Sequence, residues 1–342
     1  MKLGLTAAGM GRTVAIDIDL IKQAEDLGYD SVWTAEAWGA DAITPLAWIA
    51  AQTSRIRLGT GIMQMSARTP AMCAMQSMTV DSLSGGRMIV GIGPSGPQVI
   101  EGWHGMPYGK PLTRTREYIE IMRAIFARES PLAYDGKEYR IPYHGEGATG
   151  LGKPLRSILH GRADIPIVTA TISPKAVGLA AEIADGFMPI WMSAEGLSTF
   201  DDVLADGFAR AGDGAKADRF EVMPLINVMI DDDVQKCRDT FKPAIALYVG
   251  GMGARGKNFY NDLVSRMGWA DAARRIQDLF LDGKKLEATA EVPDDLVDAV
   301  CLLGPAERVR DRLAAWEGSK ATTLILQGPR PDTVVTMAEL CL

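Results

Sequence analysis

The run Met88-Ile89-Val90-Gly91-Ile92-Gly93-Pro94-Ser95-Gly96 is compatible with two folds. An apolar strand leads into G-x-G-x-x-G, the pattern of an open, doubly wound dinucleotide-binding sheet. That pattern works only where a helix opens within the turn, so that its free N–H groups face a pyrophosphate. Here Pro94, Pro97, Gly102, Gly105, Pro107 and Pro111 follow, which predicts no helix before about residue 113. The fingerprint is rejected on that ground. The glycines keep a simpler meaning, a tight turn or something lying close against the backbone at this strand end.

Outward from this run, short apolar or β-branched stretches alternate with amphipathic helical ones, the mark of a parallel α/β fold. Strands are expected at 2–6, 31–36, 56–64, 88–93, 165–171, 185–192, 221–231 and 322–328. Helices are expected at 19–27, 42–53, 70–83, 113–127, 174–184, 197–210, 305–317 and 331–340. Eight strands and 342 residues suit one (β/α)8 TIM barrel with insertions, about 250 residues being typical. Periodicity alone leaves an open sheet as the alternative. The insertions fall at about 130–164 and 250–300 within a single domain spanning 1–342. The first holds Tyr134-Asp135-Gly136-Lys137-Glu138-Tyr139, a turn between strand-like residues. The second is rich in Gly, Lys and Asp and should hold two or three helices.

Composition narrows the function. The 36 basic and 43 acidic side chains leave a net charge of −7, which argues against a nucleic-acid partner. No apolar run approaches the ~20 residues of a membrane span. The start, Met1 to Thr6, reads as a first strand rather than a secretory leader. Four dispersed cysteines (Cys73, Cys237, Cys301, Cys341) suggest reduced thiols in a cytoplasm. Three histidines, at 104, 144 and 160, speak against a metal site.

Barrel active sites lie at the C-terminal strand ends, and four of these ends are unusual. Strand two runs into Glu36, a carboxylate in an apolar run, which fits either a structural ion pair or a proton-relaying group beside a ligand. Strand three, Gly59-Thr60-Gly61-Ile62-Met63-Gln64, has two glycines, which suggest a bulge or close ligand approach. Met65, Met72, Met75 and Met78 after it suit the core better than a ring pocket. Strand four ends at Gly93 and Ser95. Strand five, with Thr169, Ala170 and Thr171, meets Ser173-Pro174-Lys175, a helix start whose open N–H groups suit phosphate.

Taken together, these segments resemble the luciferase-like family of TIM-barrel oxidoreductases, and within it the branch that uses the deazaflavin coenzyme F420. The resemblance covers nearly the whole chain. It is carried by 35–42 (AEAWGADA), 95–105 (SGPQVIEGWHG), 110–118 (KPLTRTREY) and 180–186 (AAEIADG). It implies a non-prolyl cis peptide at Gly61-Ile62, on a bulge that backs the cofactor ring, with Gln64 and Glu36 beside the ring. It also implies that Thr169 to Lys175 surround the cofactor phosphate, with Ser173 and backbone N–H groups as donors. The general barrel rule would place phosphate after strands seven and eight.

Relatives that oxidise sugar phosphates or alcohols carry a histidine directly after the acidic residue of strand two, where this chain has Ala37. His104, in the loop after strand four, is the expected substitute as proton donor. The basic residue that some relatives place after strand six has no match in Trp191-Met192-Ser193-Ala194-Glu195. Arg114 and Arg116 suit either the acidic tail of a deazaflavin or a solvated helix start. The resemblance thus implies hydride transfer between coenzyme F420 and a small organic substrate in a homodimer. An FMN-dependent monooxygenase and a non-catalytic cofactor-binding protein stand as alternatives.

Overall fold

A computed structural model of the chain describes residues 1–7 and 12–342. Eight parallel staves follow the expected order. They are β1 (Lys2–Thr6), β2 (Ser31–Thr34), β3 (Arg57–Thr60, resumed at Met63–Gln64), β4 (Met88–Gly93), β5 (Ile167–Ala170), β6 (Gly186–Met188), β7 (Glu221–Val222, resumed at Leu225–Ile230) and β8 (Thr323–Leu326). Each pairs with the next, and β8 pairs with β1, so the ring closes. Closure decides against the open sheet. A short strand, Cys301–Gly304, adds to the sheet outside the ring along the end of β7 and was not expected.

Side chains alternate in and out along the staves. Trp33, Ile89, Val168, Met188, Met223 and Ile325 fill the lumen. Their neighbours Val32, Val90, Ile167 and Phe187 join the larger outer core under the helices. At the N-terminal end, Arg57 donates to Asp30 and to both carboxylate oxygens of Glu221, tying β2, β3 and β7 together. Gly59 is explained by the lumen: a Cβ there would lie 2.3 Å from the Trp33 ring.

The outer helices named below are α1 (Ile18–Asp26), α2 (Ile43–Ala50), α3 (Pro70–Leu83), α4 (Pro97–Gly102), α5 (Pro111–Ala127) and α6 (Pro174–Ile183). Here α4 corrects the expectation that no helix precedes residue 113. Proline needs no N–H at the first helical position, so Pro97 starts a helix behind Gly96 instead of delaying one. The first insertion folds back as an antiparallel hairpin, Tyr134–Asp135 with Arg140–Ile141. The second holds more than the expected two or three helices: Phe259–Val264, Ala270–Leu281, Lys285–Ala290 and Asp294–Val300. Helix Val234–Ala246 leads into it.

Candidate functional site at the barrel mouth

The site begins with a bulge. From Leu58, paired with Met88, to Met63, paired with Ile92, β3 advances five residues while β4 advances four. The extra residue lies at Gly61-Ile62, whose peptide bond is cis. This bulge also explains the glycines of β4. A Cβ on Gly91 would lie 1.7 Å from the Thr60 carbonyl oxygen, and one on Gly93 would lie 2.6 Å from Ile62 Cδ1. What approaches the backbone there is the chain's own third strand.

Glu36 leaves β2 directly beside the bulge. Its Oε1 accepts from the Gln64 N–H (2.7 Å) and Arg68 Nη1 (2.6 Å). Its Oε2 accepts from the Ala42 N–H (3.2 Å) and Arg68 Nη2 (2.8 Å). The two side chains are 7% and 12% exposed, so this is a buried, bidentate pair. With four donors in place the carboxylate is committed to its own mouth, and the structural option for Glu36 fits better than a proton relay. Arg68 was missed from the sequence, although it is the only charged residue between Leu58 and Val80.

Gln64 is buried and joins three loops. Its Nε2 donates toward the Ala37 carbonyl (3.2 Å), the Glu36 carbonyl (3.4 Å) and Ser95 Oγ (3.2 Å). Its Oε1 lies 2.7 Å from His104 Nε2. The amide is therefore spent on the protein rather than left for a ring edge. Ser95 holds φ 59°, unusual for a residue with a side chain, and its carbonyl accepts from the Tyr108 hydroxyl at 3.2 Å. Glu36, Gln64, Ser95 and His104 thus form one connected group.

The segment after β5 is rich in unused donors. Ser173 is the N-cap of α6, yet its hydroxyl caps nothing. Among the described residues, the N–H groups of Thr171, Ile172, Ser173 and Lys175 find no protein acceptor. Lys175 is exposed and, among the described residues, forms no ion pair. Arg266, from the second insertion, donates to the Ile172 carbonyl at 2.9 Å and, among the described residues, is in no ion pair. Burial lowers the pKa of this guanidinium by more than the nearby Asp262 carboxylate raises it. Such a donor set fits a phosphate. Thr169 does not join it through its side chain: between lumen-facing Val168 and Ala170, alternation turns its buried, unpartnered hydroxyl toward the helices.

Two further expectations change. Arg114 is not a solvated group at the helix start, its side chain being 12% exposed. It clasps the mouth loops, donating to Ser66 Oγ, the Pro107 and Tyr108 carbonyls, and Glu138. Arg116 pairs with Glu182 in an open groove of about 770 Å³ between α5, α6 and the hairpin, which Lys175 also lines. Of the four methionines, Met65 and Met78 are core, whereas Met72 and Met75 are exposed on α3. At the mouth itself Trp191, after β6, meets Tyr248 edge-on at 5.6 Å, and Tyr248 meets Tyr260 at 4.8 Å.

These features define a (β/α)8 barrel with a bulged third strand at its mouth and an anion-receptive helix start after its fifth. The chain belongs to the luciferase-like monooxygenase family, whose model matches residues 6–323. It is 46% identical over 342 residues, 99% of each chain, to the Mycobacterium tuberculosis protein named "Putative coenzyme F420-dependent oxidoreductase Rv3520c". It is 27% identical over 301 residues to the 5,10-methylenetetrahydromethanopterin reductase of Archaeoglobus fulgidus, covering 84% of this chain and 85% of that one. The solved structure of the coenzyme F420-dependent tetrahydromethanopterin reductase from Methanopyrus kandleri shares the fold. Its TM-score is 0.78 at 22% identity, over 99% of this chain and 97% of that one.

Proposed function

We propose that this chain is a coenzyme F420-dependent oxidoreductase acting on a small organic substrate. The observation that carries this reading is full-length identity of 46% to a protein named for that activity. The unpartnered donors after β5 support it by fitting the phosphate that this coenzyme carries. When bound, the deazaflavin supplies a carbon that gives or takes a hydride and lacks the flavin nitrogen that makes reduced flavins react with dioxygen.

The chain's own residues hold and orient. Thr171 to Lys175 and Arg266 take the phosphate, with Arg266 filling the role of the cation absent after β6. The Gly61-Ile62 bulge, with Gly93 and Ala170 beside it, supports the ring. Glu36 and Gln64 keep that bulge in place. His104 exchanges a proton with the substrate, and Trp191, Tyr248 and Tyr260 form an apolar wall against it.

The chain acts as a single domain and as a homodimer in a cytoplasm. The exposed residues of α3, namely Met72, Met75, Thr79, Ser82 and Leu83, include no charge, and Trp48 is exposed on the equally uncharged α2. Such a face suits a second copy. No helix among the described residues is long and apolar enough to cross a membrane, and the four cysteines are unpaired. The net charge of −7 speaks against nucleic acid.

The deciding experiment is titration of the apoprotein with coenzyme F420 and with FMN, followed by fluorescence. Tight binding of F420 alone is expected. Preference for FMN would move the protein to the oxygen-using branch, and binding of neither would leave a protein without this cofactor. Arg266→Ala should weaken F420 binding about tenfold, as for one charge-assisted hydrogen bond. It should leave the affinity for the phosphate-free deazaflavin alcohol unchanged. Equal losses for both ligands would place Arg266 away from the phosphate.

A further inference from the structure

We propose that Gln64 is a positioning residue that holds His104 as its Nε2–H tautomer, so that Nδ1 is the atom that exchanges a proton with the substrate. The catalytic use of Nδ1 rests on the hydride-transfer function proposed above; the tautomer does not.

The inference follows from which groups can donate. One end of the Gln64 amide faces the carbonyl oxygens of Ala37 and Glu36, at 3.2 and 3.4 Å. Carbonyl oxygens only accept, so the amide presents its NH2 to them. The reversed amide would set oxygen against two oxygens. Oε1 is then the atom 2.7 Å from His104 Nε2, and because an amide oxygen only accepts, Nε2 carries the hydrogen. In the neutral ring the lone pair is left on Nδ1, which has no protein partner among the described residues.

The amide has little freedom to turn. Its residue is 2% exposed. Its backbone N–H is held by Glu36, and Glu36 by Arg68. The surrounding charges are engaged elsewhere. Glu36 is neutralised by Arg68, Glu101 on α4 accepts from the Tyr108 N–H at 3.4 Å, and Arg114 on α5 is paired with Glu138. No ion pair reaches His104 among the described residues.

Under the proposed function, this arrangement suits reduction of a carbonyl or imine and its reverse. The substrate carbon takes a hydride from the reduced deazaflavin, and the π pair of the double bond moves to the heteroatom. That heteroatom takes the proton from Nδ1 of the imidazolium. The ring is left neutral with Nε2–H still donated to Gln64, so charge and atoms balance. In the oxidative direction Nδ1 accepts the hydroxyl or amine proton.

The test is two-bond ¹⁵N–¹H NMR on apoprotein labelled at histidine, where only three rings, 104, 144 and 160, contribute. His104→Asn assigns the signals. The expected result is a neutral His104 protonated at Nε2. Gln64→Leu should mix the two tautomers and lower kcat more than it raises KM. Gln64→Glu should raise the titration midpoint of His104 by at least about one pH unit, because a carboxylate then faces the imidazolium. The pH profile of kcat should move the same way. An Nδ1–H tautomer in the wild type overturns the proposal, as does a ring unaffected by both substitutions. The wild-type spectrum needs no variant, so a variant that folds poorly cannot obscure the outcome. It also needs no cofactor, so failure of the F420 titration and failure of the tautomer are separate results.

Discussion

Glu36 and Arg68 are each the only charge in a stretch of uncharged residues, 31–40 and 58–80 respectively. Two lone opposite charges within apolar surroundings are costly unless they meet, and here they meet bidentately at the barrel mouth. Arg68→Ala would leave a buried carboxylate without its counter-charge and should destabilise the fold by about 3–5 kcal/mol in urea unfolding. Glu36→Gln combined with Arg68→Ala should recover part of that loss, because no charge then remains buried. A single-variant loss below about 1 kcal/mol would mean that water or a rearranged loop replaces the guanidinium. The same pair holds the Glu36 carboxylate that accepts from the Gln64 N–H. The sequence left both roles open because a lone acidic residue does not reveal its partner.

Among the elements, α1 shows how a loop is fixed from outside itself. Glu25, in the last turn of α1, accepts from the N–H groups of Ser54, Arg55 and Ile56 at 2.9, 2.6 and 2.8 Å, setting the entry to β3. Burial works against its ionisation, but the three backbone donors and Arg55 outweigh it and lower its pKa. A folded-state pKa below the unfolded one gives stability that is full above the ordinary glutamate range and is lost as pH falls through the folded value. Glu25→Gln should therefore cost about 1–2 kcal/mol near neutrality and much less near pH 3. Urea midpoints at the two pH values measure this. Equal losses at both would show that the carboxylate's charge contributes nothing. β3 and β4 give the complementary case, in which Gly59, Gly91 and Gly93 make room for Trp33, Thr60 and Ile62.

For the whole molecule, the barrel divides its tasks between its two ends. The N-terminal end is locked by Arg57 with Asp30 and Glu221, and the C-terminal end carries the bulge, the donor-rich start of α6 and the aromatic wall. The outer faces of α2 and α3 lack charge, which is the basis for the proposed dimer. Trp48→Glu together with Met75→Glu should yield a monomer in light scattering with the barrel intact by circular dichroism. A wild type that is already monomeric at micromolar concentration would remove the dimer from the proposal.

The sequence by itself determined the number, order and parallel direction of the eight staves. It also determined most helices, because these depend on local periodicity and on glycine and proline placement, while the bulge at Gly61-Ile62 was placed by the family resemblance. It misjudged α4, where Pro97 begins a helix, and passed over the strand Cys301–Gly304, which is only four residues long. Ring closure, the Glu36–Arg68 pair, the link from Gln64 to His104 and the arrival of Arg266 beside Ile172 were decided only by the tertiary structure. Each joins residues about 30 to 320 positions apart through side-chain geometry, and periodicity carries no information on such contacts.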